Sequence, residues 1–351
     1  MRKSIDIERY LRSTILSNQL KHGEALPSER DMVAQFEVSR GTLRDALNAL
    51  ACEGLIVRKH GSGTYVNAAI KANSIAIVGD AYGVASPVGY WYRNLVDAAV
   101  GNIRDSGRKP VITLGYGDSN EQFVESLDSL FGMRRNELAG VLGLTTLRSI
   151  STKFEEVGVP YVEIELGENT RNYNVVLDYA RMVGEGVKLM KSHGHSDFTL
   201  MYVVPSKTSI SDNYKKWSEP IYRTAVDFTP NRLVGVPHSW DARHAYDLFI
   251  EWWKGPHRTN ALFITDDGIF EVASRAILEL GIRVPEDLAI LTHANIGRNF
   301  IFPVPVTSLG WDAGAVISIA WEMLSARISG REPEESVVYV PPVFQQGRTL
   351  G

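Results

Sequence analysis

The spacing of hydrophobic residues changes near residue 74, and this change divides the chain into two kinds of region. Before it, apolar residues recur every three or four positions, as along one face of a helix; Ile7, Leu11 and Ile15 are an example. After it, short apolar runs alternate with longer amphipathic stretches. We therefore expect a small, mainly helical region followed by a larger region of strands and helices.

The first region, residues 1–67, predicts three helices and a β-hairpin. Ser28 has Asp31 three residues later, the arrangement of a capping box, and so marks the start of the second helix. Glycines lie between the two predicted strands and indicate a tight turn. The predicted elements are helices at 5–20, at 29–36 and from Ser39 to Gly54, and strands at 55–58 and 64–66.

The second region, residues 74–351, follows a small polar linker at 68–73. Its alternation of strands and helices predicts an α/β fold with two lobes, each a parallel sheet covered by helices. Helices are expected between most of the strands, for example at 92–106, 178–193, 241–254 and 268–280. The expected strands are Ile75–Val78, Val111–Leu114, Gly140–Leu144, Tyr161–Ile164, Thr199–Val203, Leu233–Val236, Ala261–Ile264 and Leu288–Leu291.

Composition is that of an ordinary soluble protein, with 44% hydrophobic and 22% charged residues. We see no membrane-spanning run and no signal peptide. The single cysteine, Cys52, excludes an internal disulfide, fits a reducing cytoplasm and is expected to be buried in its helix. Residues 1–68 carry ten basic and eight acidic side chains, whereas the remainder carries 27 and 33, so any nucleic acid is expected to meet the first region.

The third predicted helix has the chemistry of a DNA-reading element. Its apolar stripe would bury four residues, and its other face would present Arg40, Thr42, Arg44 and Asn48. Arginine and asparagine suit bidentate contacts with guanine and adenine edges in the major groove. The hairpin that follows would form a basic wing with Arg58, Lys59 and His60. The predicted buried stripe consists of Leu43, Ala46, Leu47 and Leu50.

Four motifs in order closely resemble the winged helix-turn-helix domain of GntR-family repressors over residues 5–67. They are Leu26-Pro27-Ser28-Glu29-Arg30, Val38-Ser39-Arg40-Gly41-Thr42-Leu43-Arg44, Glu53-Gly54-Leu55-Ile56 and Gly61-Ser62-Gly63-Thr64-Tyr65-Val66. The resemblance implies binding to double-stranded operator DNA. The implied contact residues are Arg30, Ser39, Arg40, Thr42, Arg44, Lys59, His60, Gly61 and Gly63.

Residues 74–351 resemble the effector domain of LacI/GalR repressors, which is related to periplasmic sugar-binding proteins; bacterial arabinose repressors combine the same two modules. The matching segments include Gly158–Val162, Val175–Asp178, Ala261–Asp267, Glu279–Leu288 and Pro305–Leu309. The resemblance implies a small-molecule effector, a carbohydrate by ancestry, held between two lobes, and a homodimer whose repression the effector relieves.

A sugar site requires carboxylates for hydroxyl groups and a flat aromatic ring for the apolar face. The candidate effector-binding residues are Trp91, Tyr92, Asp178, Lys216, Trp240, Asp266 and Asp267. Asp267 has a second interpretation as the cap of the following helix. The chain departs from the family where it has Lys216-Trp217-Ser218-Glu219 in place of Arg-x-x-Gly, and Thr292-His293-Ala294 in place of Gly-Phe-Asp.

No catalytic or cofactor motif is recognised, and the spacing of His193 and His195 is a poor match to a metal site. We therefore expect a regulator rather than an enzyme, without cofactor or metal. Two alternatives stay open at this point: a carbohydrate-modifying α/β enzyme with a DNA-binding appendage, and a regulator that senses a nucleobase or another non-sugar ligand.

Overall fold

The computed structural model of this chain gives the arrangement of most residues. It describes residues 2–16, 20–21, 23–52, 54–59, 61–67, 73–81, 84, 89–116, 120–127, 138–144, 148–156, 158–165, 173–204, 213–228, 232–237 and 242–351. The helices are α1 Arg2–Leu16, α2 Glu29–Phe36, α3 Arg40–Cys52, α4 Tyr90–Asp105, α5 Asn120–Ser126, α6 Arg148–Glu156, α7 Tyr179–Ser192, α8 Asn213–Phe228, α9 Ala242–Lys254, α10 Asp267–Glu279 and α11 Ala313–Ile328.

The strands among the described residues form three sheets. They are β1 Ile56–Lys59, β2 Gly63–Val66, β3 Ser74–Asp80, β4 Lys109–Gly115, β5 Leu138–Leu144, β6 Tyr161–Glu165, β7 Asn174–Leu177, β8 Thr199–Val204, β9 Leu233–Pro237, β10 Ala261–Ile264, β11 Ala289–His293, β12 Ser308–Gly310, β13 Val337–Val340 and β14 Val343–Gln345. One six-stranded sheet has the order β13-β7-β6-β5-β3-β4, another has the order β14-β12-β11-β10-β8-β9, and β1 and β2 form an antiparallel hairpin.

The predicted fold class is confirmed. Each of the eight strands expected after residue 74 is present, with ends that differ by at most two residues. In the sheet that contains β10, the neighbouring strands run parallel except at one edge, where β14 pairs antiparallel with β12. Buried parallel strands are apolar on both faces, and β3 is buried along almost its whole length.

The hydrophobic pattern missed four short strands and the helix that follows the last expected strand. Strands β7, β12, β13 and β14 have three or four residues each, too few to show a period. Helix α11 is apolar nearly all round, and Val316, Ile317, Ala320 and Leu324 are fully buried. Its exposed side consists of Ala315, Ser318 and Glu322, of which only Glu322 is charged, so the contrast in polarity between the two sides is small and the amphipathic signal is weak.

The described chain groups into two compact units. The first comprises Met1–Gly79, Ile103–Val162 and Leu324–Glu332, and the second comprises Asp80–Asn102, Glu163–Met323 and Pro333–Gly351. The domain limits expected from the sequence stay a prediction, and of the linker expected at 68–73 only residue 73 is described. Among the described helices, none combines the length and apolar character that a membrane crossing requires.

In the first unit, α1, α2, α3 and the hairpin share one hydrophobic core. The four residues predicted to be buried along α3 are each no more than 1% exposed, as expected. Cys52, at the end of α3, is exposed, so the expectation that it is buried was wrong. The apolar stripe of α3 runs through Leu43, Leu47 and Leu50, and Cys52 falls outside it because each residue turns the helix by about 100°.

In the second unit, α7 packs against the sheet through residues three or four positions apart. Tyr179, Met182, Val183 and Val187 are among its buried residues. Gly186 allows this close contact, since a Cβ atom there would lie 2.3 Å from the ring of Phe263 in β10. The packing holds the first turn of α7 beside the carboxyl ends of the strands.

Candidate functional site

Two serine caps determine where α2 and α3 begin. The Oγ of Ser28 accepts the backbone N–H of Asp31 at 3.2 Å, as the capping box predicts. The Oγ of Ser39 accepts the N–H of Thr42 at 3.1 Å and lies 2.8 Å from the Thr42 hydroxyl. Each cap satisfies a backbone donor that the helix itself leaves unpaired. The caps therefore set the rotation at which α3 presents its side chains.

The outer side of α3 carries a row of polar residues, here called the recognition face: Arg40, Arg44 and Asn48. Residues four apart lie on the same side of a helix, and all three side chains are exposed. The Arg44 guanidinium is 3.8 Å from Glu29 of α2, with 62% of its side chain exposed, so this ion pair is weak. The recognition face can therefore present two cationic groups to a phosphate-rich ligand.

The hairpin places a basic edge beside this helix. Lys59 of β1 lies over the ring of Tyr65 at 4.7 Å, and Arg58 donates from Nη1 to Oδ1 of Asn48 at 2.9 Å. At the tip, Gly61 and Gly63 have φ values of 73° and 119°, a region that favours glycine. The glycines thus serve the turn itself and keep its tip free of bulk.

The residues expected to bind DNA are mostly on the surface of the first unit. Thr42 is half-buried, and His60 lies outside the described residues. The exposed residues of the predicted set are Arg30, Ser39, Arg40, Arg44, Lys59, Gly61 and Gly63. Their roles stay predictions.

A second group of polar and aromatic residues lies in the second unit, where strands end and helices begin. Asp267, which follows β10, pairs with Arg298 at 3.4 Å between Oδ2 and Nε, and each side chain is 14% exposed. Arg298 also bonds to Glu271 and stacks over the ring of Tyr90 at 4.7 Å. The Tyr90 hydroxyl accepts the N–H of Asn295 at 3.2 Å and hydrogen-bonds to Asp267.

Burial dominates the electrostatics of this group. It raises the pKa of Asp267 to about 6, although the Arg298 charge and the hydrogen bond from Tyr90 both lower it. Burial likewise raises the pKa of Tyr90 far above its ordinary value, with the Asp267 charge adding to the effect. The pKa of Asp267 therefore lies closer to neutral pH than that of an ordinary aspartate.

Near Asp267 lies a group of three buried rings, here called the aromatic cluster: Tyr179, His293 and Trp311. The Tyr179 and Trp311 ring centroids are 4.7 Å apart, and those of His293 and Trp311 are 5.6 Å apart. The Trp311 indole N–H donates to the carbonyl of Val340 at 2.8 Å. All three side chains are at least nine-tenths buried.

His293 is the chemically distinctive member of the cluster. Its Nε2 is 3.3 Å from Oδ1 of Asn295. The same oxygen accepts the backbone N–H of Trp311 at 2.8 Å. Its Nδ1 is buried and has no hydrogen-bond partner among the described residues. Burial lowers the pKa of His293, against the opposing charge of Asp266. The neutral ring thus offers an acceptor to a bound donor group.

The predicted effector residues are placed as follows. Asp178 caps α7 by accepting the N–H of Arg181 at 2.9 Å, and Asp266 caps α10 by accepting the N–H of Ile269 at 2.9 Å. The helix cap is therefore Asp266, and the alternative interpretation of Asp267 as the cap was wrong. Trp91 is only 7% exposed and Tyr92 is half-buried. Trp240 and the side chain of Lys216 lie outside the described residues.

The structure brings some of these residues together and adds others. The Tyr179 phenol, whose pKa burial raises, is also affected by the charges of Asp266, Tyr92 and Asp267. Sequence reasoning missed five residues of this site: Tyr90, Tyr179, Asn295, Arg298 and Trp311. Tyr90 is next to two predicted aromatic residues, and His293 was noted as a departure from the family, but no local pattern pointed to Arg298. Among the described residues there is no cluster suited to hold a metal ion.

Comparison with known proteins finds two different family models in two parts of the chain. Residues 3–66 match the model of the gntR family of bacterial regulatory proteins, and residues 187–350 match the periplasmic binding protein-like domain. The Arabinose metabolism transcriptional repressor of Geobacillus stearothermophilus is 22% identical over 99% of this chain and 97% of its own length.

Two further likenesses concern parts of the chain. The HTH-type transcriptional repressor PurR of Pasteurella multocida is 21% identical over 63% of this chain and 66% of its own length. A crystal structure of the lac repressor dimer bound to operator has a TM-score of 0.65 at 15% identity, over 80% of this chain and 95% of that one. These relatives are transcriptional repressors rather than enzymes. The chain therefore combines a winged helix-turn-helix head that matches the gntR-family model with a periplasmic-binding-protein-like domain that has the fold of the LacI repressors.

Proposed function

We propose that this chain is a transcriptional repressor whose affinity for operator DNA is controlled by a small molecule of the carbohydrate class. The observation that carries the proposal is the recognition face. There Arg40 and Arg44 project from α3, and Ser39 caps the start of that helix. A helix of this kind supplies base contacts from its first turns, and a basic wing supplies phosphate contacts.

The DNA-bound form in this proposal is a homodimer. Helix-turn-helix proteins read two half-sites related by the symmetry of the protein, so the operator is expected to be an imperfect palindrome. The predicted contacts to each half-site come from Arg30, Ser39, Arg40, Thr42, Arg44, Lys59, His60, Gly61 and Gly63. Residues 74–351 are assigned the main dimer contact.

The effector is assigned to the second unit, at the carboxyl ends of its parallel strands, where α/β folds bind ligands. Asp266, Asp267 and Tyr92 lie near Tyr179 there, and carboxylates and aromatic rings suit the hydroxyl groups and apolar face of a sugar. The arabinose repressor named above supports the carbohydrate class. The proposed contacts also include Trp91, Asp178, Lys216 and Trp240.

Two measurements test this function. Gel-shift titration against DNA from upstream of the chain's own gene should show a specific complex, and a complex with every control fragment of equal length would contradict it. A thermal-shift screen of the full chain should reveal a sugar that raises the melting temperature, since a ligand at one hundred times its Kd stabilises by about 2.7 kcal/mol. A response to nucleobases alone would reject the carbohydrate class.

The same ligand should then weaken the DNA complex. If the effector favours a state that binds DNA poorly, the operator must weaken effector binding by an equal factor. Repeating the gel shift with the stabilising sugar tests the sign, and tighter DNA binding would contradict relief of repression.

A further inference from the structure

The contact between the wing and α3 gives Asn48 a role that its residue type does not suggest. The Nη1 of Arg58 donates to Oδ1 of Asn48 at 2.9 Å, and both side chains are exposed. Arg58 lies in β1, opposite Thr64 of β2, so the wing strand delivers this guanidinium directly to the helix. The bond joins two elements that otherwise approach DNA separately.

An asparagine that reads adenine must accept from one base atom and donate to another at the same time. In Asn48 one lone pair of the side-chain oxygen already accepts Arg58, so a bidentate contact with adenine would have to share that oxygen, whereas this bond leaves the two amide N–H donors unused. The guanidinium has five N–H donors, and this bond uses one of them. The outward chemistry of the pair therefore consists of donors and a positive charge.

The position of the pair along α3 selects its ligand. Asn48 is eight residues beyond Arg40, which is about 12 Å along the helix axis at 1.5 Å per residue. Recognition helices contact base edges with their N-terminal residues, so a group two turns later lies towards the sugar-phosphate backbone. A donor-rich, cationic pair at that point matches a phosphate oxygen.

We infer that Asn48 is a positioning residue that holds Arg58 against the end of the recognition face, and that Arg58 binds a backbone phosphate of the operator. The inference rests on the proposed DNA-binding function. It assigns sequence choice to the start of α3 and a sequence-independent clamp to its second half.

The experiment is a double-mutant cycle on the full chain, with operator affinity measured between 0.05 M and 0.3 M salt. Arg58→Ala should weaken binding about tenfold and reduce the slope of log affinity against log salt by about 1, the change expected for one lost phosphate contact. Asn48→Ala should weaken binding by a smaller factor, about threefold, and the double variant should bind no worse than Arg58→Ala, because a positioning residue acts only through its partner.

Two further variants and a control of folding make the result specific. Asn48→Gln, which keeps an amide oxygen, should recover part of the affinity lost in Asn48→Ala. Arg331→Ala removes an exposed charge outside residues 1–67 and should leave affinity and salt slope unchanged. Thermal melts of every variant verify that the head is folded, because the exposed positions of the pair predict unchanged melting temperatures.

Operators changed at single base pairs provide the decisive measurement. Asn48→Ala should keep the base preferences of the wild type. A variant that loses preference at one A·T pair, with effects additive to those of Arg58→Ala, would show that Asn48 reads adenine and would overturn the inference. Failure of the wild type to bind any operator would remove the proposed function and this inference with it, whereas wild-type binding with an unchanged Arg58→Ala salt slope would remove the inference alone.

Discussion

The recognition face of α3 and the aromatic cluster of the second unit are both candidate binding sites, but they are built in opposite ways. Arg40, Arg44 and Asn48 are exposed, and they stand on a helix whose opposite side is the core. Tyr179, His293 and Trp311 are themselves part of a core. The first site can therefore change without affecting the fold, whereas a ligand at the second would contact side chains that also pack the core.

The largest change in stability is expected when the central ring of the aromatic cluster, Trp311, is removed. Trp311→Ala should lower the free energy of unfolding by about 3–5 kcal/mol, because the side chain is fully buried and its removal leaves a cavity. Trp311→Phe, which keeps a ring but loses the bond to the Val340 carbonyl, should cost less. Urea unfolding measures both, and equal midpoints for Trp311→Ala and the wild type would mean that the cluster contributes little to packing.

The second prediction uses the titration of Asp267. Its pKa is raised from 3.8 to about 6 in the fold, so between these pH values the folded chain binds more protons than the unfolded chain. This residue therefore makes the free energy of unfolding fall as the pH rises from about 4 to 6, by at most about 3 kcal/mol. Asp267→Asn should remove that part of the pH dependence.

The matched control is Asp287→Asn. A hydrogen bond from the Arg283 side chain lowers the pKa of Asp287 to about 2. Asp287 therefore makes the free energy of unfolding rise with pH, and it does so below about pH 4. Urea unfolding at pH 4, 5 and 6 should therefore show a changed pH slope only for the Asp267 variant, whereas Asp287→Asn should lower the free energy of unfolding by a similar amount at each pH. If Asp267→Asn keeps the wild-type slope, burial does not control this carboxylate.

The third prediction separates function from stability in the head. Arg44→Ala should weaken operator binding by about 1–3 kcal/mol if the side chain contacts a base, while the free energy of unfolding changes by less than about 0.5 kcal/mol. Arg275→Ala, which removes a similarly exposed arginine from α10, is the control. A loss of stability equal to the loss of DNA affinity would contradict the contrast drawn between the two sites.

The smallest effect concerns the cap that orients the recognition face. Ser39→Ala removes the acceptor for the Thr42 N–H and should destabilise the head by about 1 kcal/mol. Ser39→Asp, which restores a capping oxygen, should recover most of the stability seen by thermal unfolding. No recovery would indicate that the Ser39 hydroxyl stabilises the head by some other contact.

The sequence predicted the head more completely than the candidate effector site, and particular residues show why. The caps at Ser28 and Ser39 and the buried stripe of α3 depend on contacts within a few residues, which a linear pattern records. Cys52 was expected to be buried but is exposed, because the hydrophobic pattern locates the helix and shows only approximately which residues border its buried side. Short strands such as β7 left no periodic signal at all.

What the sequence determined by itself is the order of the longer elements, the change from a helical first region to strand–helix alternation and the identity of the exposed groups on α3, since these follow from hydrophobic period, caps and turn residues. Only the tertiary structure decided which residues surround Asp267 and Trp311. Tyr90 and Asn295 are 205 positions apart and meet in one hydrogen bond, and Asp266 rather than Asp267 turned out to cap α10. Such contacts depend on the packing of whole strands and helices, so no local pattern contains them.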